Sequence, residues 1–133
     1  MPGEDVELVR RYYEAMSSGD LEAAAAFLAP DVEADFSRRL VEPGVARGRE
    51  AVMAAAARVR EAWADLTVEP EELFEFGERV VAVVHSRGTG RGSGASVDAC
   101  TAQVWRVREG LAVHWEYFGS KTQALEALGR AAP

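Results

Sequence analysis

The stretch VDACTAQVWRVREGLAVHWEYF, from Val97 to Phe118, decides the reading of this chain. Two alternating segments flank Glu109-Gly110. A two-residue X-Gly connection is a strong hairpin signal, because glycine tolerates the positive φ that such turns need. An uninterrupted ladder from that turn pairs Thr101 with Phe118, Gln103 with Glu116, Trp105 with His114 and Val107 with Ala112. Directly opposed residues share a face, so these eight side chains line one side of the sheet. The other side collects Ala102 with Tyr117, Val104 with Trp115 and Arg106 with Val113. Both sides carry large apolar groups, so each needs cover. The first side also holds Gln103, His114 and Glu116 among aromatics, and polar groups on a covered side need partners or a ligand. The site is expected there. An odd number of loop residues would exchange the two faces, since the strand period is two.

Working outward, Leu66 to Phe76 and Arg79 to Arg87 form a second strand pair around Gly77-Glu78, with Phe74 facing Val81 and with Val83, His85 and Arg87 continuing that face. Pro70 marks a bulge or an edge position, because proline cannot donate to a ladder. The glycine-rich run Gly88 to Ser96 links the two hairpins. It lacks a following Gly-Lys-Ser/Thr and connects strand to strand, so it reads as a rim and not as a phosphate cradle. Before the strands come helices. Glu4 to Ser18 repeats Val6, Val9, Tyr13 and Met16 at helical spacing, has acidic residues in its first turn, and stops at Gly19. Asp20 caps a short helix running to Leu28, before Ala29-Pro30. Asp31 to Phe36 alternates as a strand, Ser37 to Arg47 is a loop around Pro43-Gly44, and Arg49 to Trp63 is an alanine-rich third helix. Ser120 and Gln123 open a last helix ending at Gly129. Residues 1–133 thus make one domain of class α+β, a curved antiparallel sheet with helices packed on its concave face.

Composition narrows the function. The chain has 133 residues, 48% apolar and 28% charged, with a formal charge of −7. That balance is ordinary for a soluble domain and argues against a nucleic-acid partner, whose footprint is basic. Cys100 is the single cysteine, so neither an intrachain disulfide nor a multi-cysteine metal site is available. Met1-Pro2-Gly3-Glu4-Asp5 is acidic and lacks the n- and h-regions of a secretory leader, and no apolar run reaches membrane-spanning length. A cytoplasmic location without membrane partners is the expectation.

The order of elements resembles the SnoaL-like (polyketide cyclase-like) branch of the nuclear transport factor 2-like superfamily. The residues that carry the likeness are Glu7 to Ala15, Gly19-Asp20-Leu21, Leu28 to Glu33, Gly48 to Ala51, Gly77 to Val81 and Gln103 to Gly110. The resemblance implies a cone-shaped α+β barrel, often homodimeric, with a pocket between helices and concave sheet. Its members include isomerases, cyclases, dehydratases and hydrolases as well as proteins that only bind partners, so fold alone does not assign a reaction.

In ketosteroid isomerases of that superfamily, a tyrosine and a protonated Asp donate to an oxyanion while another Asp moves the proton. Carried across by motif, the tyrosine falls on Tyr12 and the second donor on Gln103, which can donate but cannot act as a tuned acid. The base falls on Phe36, which transfers no proton. The residues themselves offer His114 and Glu116 instead. A histidine beside a carboxylate has its charged form favoured and can serve as general acid or base. The plainer alternative is that Glu116 and Gln103 satisfy one another while His114 stacks on Trp105. His85 and Arg87 either reach the same mouth or are solvated at a strand end. A metal site built on His85, His114 and Glu116 has no supporting spacing, so no metal and no cofactor are expected.

The candidate catalytic set is therefore His114, Glu116, Tyr12 and Gln103, with Phe36, His85, Trp105 and Phe118 as ligand-binding residues. Two readings compete: a cofactor-free isomerase, cyclase, dehydratase or hydrolase acting on a small apolar molecule, and a non-catalytic hydrophobic pocket or dimerisation module. Val104, Val113, Trp115 and Tyr117 on the other face predict a homodimer formed sheet to sheet.

Overall fold

The computed structural model describes residues 3–39 and 43–131. The elements run α1 (Glu4–Ser18), α2 (Leu21–Ala25), β1 (Leu28–Asp35), β2 (Val45–Arg47), α3 (Arg49–Ala62), β3 (Trp63–Phe76), β4 (Arg79–Gly90), β5 (Ser96–Arg108), β6 (Leu111–Phe118) and α4 (Lys121–Ala131). The six strands form one curled, open sheet in the order β2-β1-β6-β5-β4-β3. β3 to β6 are an antiparallel meander, whereas β1 lies parallel to β6. The chain is thus α+β, as its sequence predicts.

α1 buries Val9, Tyr12, Tyr13 and Met16, the i, i+3, i+4, i+7 stripe of an amphipathic helix. Gly19, at φ 81°, ends it by turning its amide back to the Ala15 and Met16 carbonyls. The Asp20 side chain then accepts from the Ala23 amide and starts α2. α2 is shorter than its sequence suggests. Phe27 and Leu28 are drawn into the sheet, where the Ala112 amide donates to the Phe27 carbonyl at 2.9 Å. Leu28-Ala29-Pro30 therefore opens β1 instead of closing a helix. The loop expected over Ser37 to Arg47 ends in β2, an edge strand paired to β1, and its residues 40–42 lie outside the described residues.

α1 and α3 lie across the concave face. The Ser17 hydroxyl donates to the Val68 carbonyl and accepts from the Val68 amide, both at 2.9 Å, which pins α1 to β3. The Arg49 guanidinium donates to the Leu28 carbonyl and holds α3 over β1. The fourth helix lies on the opposite side. Ala124 and Leu128 of α4 cover Val81, Ala102, Val104 and Phe118 on the outer face of the sheet. Its start is capped as expected: the Gln123 amide donates to the Ser120 hydroxyl while the Gln123 side chain accepts from the Gly119 amide.

The β5–β6 hairpin turns at Glu109 and Gly110, both at positive φ (52° and 77°), and pairs Val107 with Ala112 as predicted. One residue further the ladder departs from the prediction. The register shifts between Arg106 and Val107, leaving Val113 as an extra residue in β6, so that Arg106 faces His114 and Trp105 faces Trp115. A one-residue slip moves every later side chain to the other face. Trp115 and Tyr117 therefore turn inward, and His114, Glu116 and Phe118 turn outward. Burial explains the choice. Trp115 ends 2% exposed against a fully buried Trp105, whereas an uninterrupted ladder would have put an imidazole and a carboxylate under the helices. The expected bulge at Pro70 is present, with Glu71 as its extra residue.

Candidate functional site

The core beneath α1 is an aromatic cluster. The Trp105 and Trp115 rings stack at 4.2 Å with an interplanar angle of 19°. The Tyr12 ring meets both indoles, at 5.0 and 5.6 Å, and Phe36 meets Trp115 edge-on at 6.0 Å. Such offset and edge arrangements match the ring quadrupoles. The Trp105 indole N–H donates to the Tyr13 hydroxyl at 3.1 Å, so both polar tips of that buried pair are satisfied.

Next to this cluster lies a cavity of about 130 Å³. Tyr12, Tyr13 and Met16 of α1 form one wall, and Val52, Ala55, Ala56 and Val59 of α3 another. Leu66 and Val68 of β3, Gln103 of β5, Trp115 of β6, and Phe36 and Arg39 beyond β1 complete it. The alanines of α3 leave the room: they keep the helix close to the sheet without filling the space between. The Arg39 guanidinium lies 4.4 Å above the Phe36 ring at the edge of this cavity, a cation–π contact.

Two polar groups enter the apolar lining. No side-chain nitrogen or oxygen among the described residues is both fully buried and unpaired. The Tyr12 hydroxyl has no hydrogen-bond partner among them, so it opens onto the cavity that its ring lines. Gln103, half-buried on β5, is in the same position. Burial pushes the Tyr12 hydroxyl well above the usual phenol range, so it stays protonated and acts as a donor. Burial also raises Tyr13, against the opposing effect of the Trp105 hydrogen bond and with a smaller upward push from Tyr12.

Of the residues the sequence singles out, the structure thus brings Tyr12, Gln103 and Phe36 to one cavity. Trp105 supports it from the core. The bulge separates the others. His114 stands on the outer face, its Nε2 3.8 Å from Glu33 Oε1, and Glu116 pairs there with Arg38. Phe118 lies under α4 with Arg38 above its ring. His85 also faces outward, opposite Cys100, with Nδ1 3.0 Å from Glu71 Oε1 and Nε2 against Asp98. Arg87 sits beside that imidazole and not at the cavity mouth. The hydrogen bond from His85 holds the Asp98 carboxyl below its ordinary range. His85, His114 and Glu116 are not gathered, and no cluster of three metal-ligating side chains occurs among the described residues.

The slip and the cover given by α4 together remove the outer-face apolar patch on which the sequence reading of a sheet-to-sheet dimer rested. Trp115 and Tyr117 are inside, Val113 sits in the bulge, and Val104 is under α4. Sequence reasoning missed Trp115, Arg39 and the α3 wall as lining. The signal for Trp115 was there: Leu111, Val113, Trp115 and Tyr117 form the more apolar stripe of β6, with His114 and Glu116 on the other.

A curled α+β sheet with helices over its hollow and a small apolar cavity between them defines a nuclear transport factor 2-like, ketosteroid isomerase-like fold. The model of the SnoaL-like domain matches residues 9–115, and the chain belongs to that family. An NTF2-like protein of unknown function from Burkholderia pseudomallei K96243 is similar at 29% identity and TM-score 0.76, over 93% of this chain and 96% of that one. A structure described as a candidate SnoaL-like polyketide cyclase from Jannaschia sp. CCS1 is similar at 21% identity and TM-score 0.77, covering 99% and 95%. TerC, co-crystallised with polyporic acid, is similar at 21% identity and TM-score 0.76, covering 96% and 99%. No curated protein matches the chain. No described helix is long and apolar enough to cross a membrane.

Proposed function

We propose that this protein binds a small, largely apolar molecule carrying an acceptor oxygen, with Tyr12 and Gln103 as the donors to that oxygen. The observation that carries this reading is the pair of unpartnered donors facing an otherwise apolar cavity, whose volume of about 130 Å³ is close to one that takes up benzene, ~150 Å³. A ring-sized carbonyl compound fits both the volume and the donors. Two donors aimed at a carbonyl oxygen also stabilise negative charge developing there, which is the electrophilic half of an enolisation or cyclisation. The proton-accepting half has no candidate in the described lining, where Arg39 is the one group charged at neutral pH. Binding, with polarisation of the bound carbonyl, is therefore the reading the geometry favours over proton-transfer catalysis.

Acetophenone and ethylbenzene, alike in size and differing in the carbonyl, test it through the fluorescence of Trp105 and Trp115. Acetophenone should bind the more tightly, and Tyr12→Phe should weaken it about tenfold, the loss of one hydrogen bond, while leaving ethylbenzene unchanged. Gln103→Leu should act in the same sense. Equal losses for both compounds, or no binding of either, would remove the proposal.

A further inference from the structure

A second cavity, of about 270 Å³, lies on the outer face of the sheet, lined by Arg79, Val104, Trp105, Arg106, His114 and Glu116. The ladders place one side chain from each of five strands in a row across that face: Arg79, Arg106, His114, Glu33 and Arg47. The acids here are already matched. Glu33 accepts from Arg47 Nε at 3.2 Å, and Glu116 pairs with Arg38. The neighbouring Asp35 carboxylate accepts from the Ser37 amide and hydroxyl at 2.9 and 2.6 Å. Arg79 and Arg106 are left over. They are half-buried, directly opposed on β4 and β5, and have no carboxylate partner among the described residues.

Like charges directly opposed across a ladder, ~5 Å apart at Cβ, oppose folding. The chain has 22 acidic residues against 15 basic ones, so partners were not scarce. Two adjacent guanidiniums offer up to ten N–H donors in planar forks, a geometry suited to a tetrahedral oxyanion. His114 adds a third donor at the cavity wall. We propose that this outer cavity is a binding site for a small free oxyanion of the phosphate type, held by Arg79 and Arg106 with His114 at its edge. The net charge of −7 disfavours an anionic surface as its source and leaves a diffusing anion or phosphate monoester.

The ring protons of His114, assigned with His114→Gln, report occupancy directly. Titration with inorganic phosphate at constant ionic strength should move them saturably in the millimolar range or below, and chloride should not. Arg79→Gln and Arg106→Gln should each weaken binding about tenfold, and the double substitution should abolish it, with thermal unfolding confirming that the variants fold. Absence of a saturable phosphate shift in the unaltered protein overturns the site, whatever the variants do. So does a double variant that folds and responds as the parent does, or an equal response to chloride.

Discussion

Tyr12 and Tyr13 are neighbours in the chain and yet do different work, because a helix turns each residue 100° from the last. Tyr13 spends its hydroxyl on Trp105 and becomes structure, whereas Tyr12 keeps its own for the cavity. Trp105 is the residue on which the cluster rests: fully buried, stacked on Trp115, touched by both tyrosines. Trp105→Ala should cost about 3–5 kcal/mol, the range for deleting a large buried aromatic, whereas Phe76→Ala, at a side chain 41% exposed, should cost far less. Urea denaturation of both variants measures the contrast.

At the scale of elements, the bulge in β6 decides which half of the hairpin faces the cavity. The Glu109-Gly110 turn was legible from composition, since positive φ at both positions favours an X-Gly pair. The bulge three residues later was not, because it answers to packing: it lets the indole of Trp115 stack on Trp105. Deleting Val113 should force the choice. The shortened strand must either send Trp115 outward or break its ladder, so we expect loss of the exciton signal from the stacked indoles in circular dichroism and a destabilisation of several kcal/mol. Retention of both signal and stability would show that the register is set elsewhere.

The molecule as a whole has two covered faces, and they are covered differently. α1 and α3 arch over the concave side and leave a cavity, whereas α4 lies against the outer side over Val81, Val104 and Phe118. Truncation after Gly119 should expose that patch and drive self-association, visible as a rise in mass by light scattering relative to the full chain. Charge sets the limits at low pH. Hydrogen bonds from Ser37 to Asp35 and from His85 to Asp98 hold both carboxyls below their ordinary values. A depressed carboxyl contributes its stability above the unfolded-state value, about 3.9, and loses it as pH falls through the folded one, so thermal stability should decline below about pH 4. Because Asp98 is exposed, Asp98→Asn should shift that decline only slightly.

Local and periodic features were readable from the residues: α1 and its glycine stop, the Asp20 cap, the two tight turns, the bulge at Pro70, the meander, and the family to which their order belongs. Tyr12 and Phe36 were legible through the family resemblance, and Gln103 through strand alternation as well, because all three lie outside the stretch of β6 that the bulge displaces. The facing of His114, Glu116, Trp115 and Phe118, signalled in the chain only by the apolar stripe of β6, and the side on which α4 lies were settled by packing. A period of two keeps no memory across an inserted residue, and the free energy of burying one indole against another, summed over the whole core, outweighs the regularity of a single ladder.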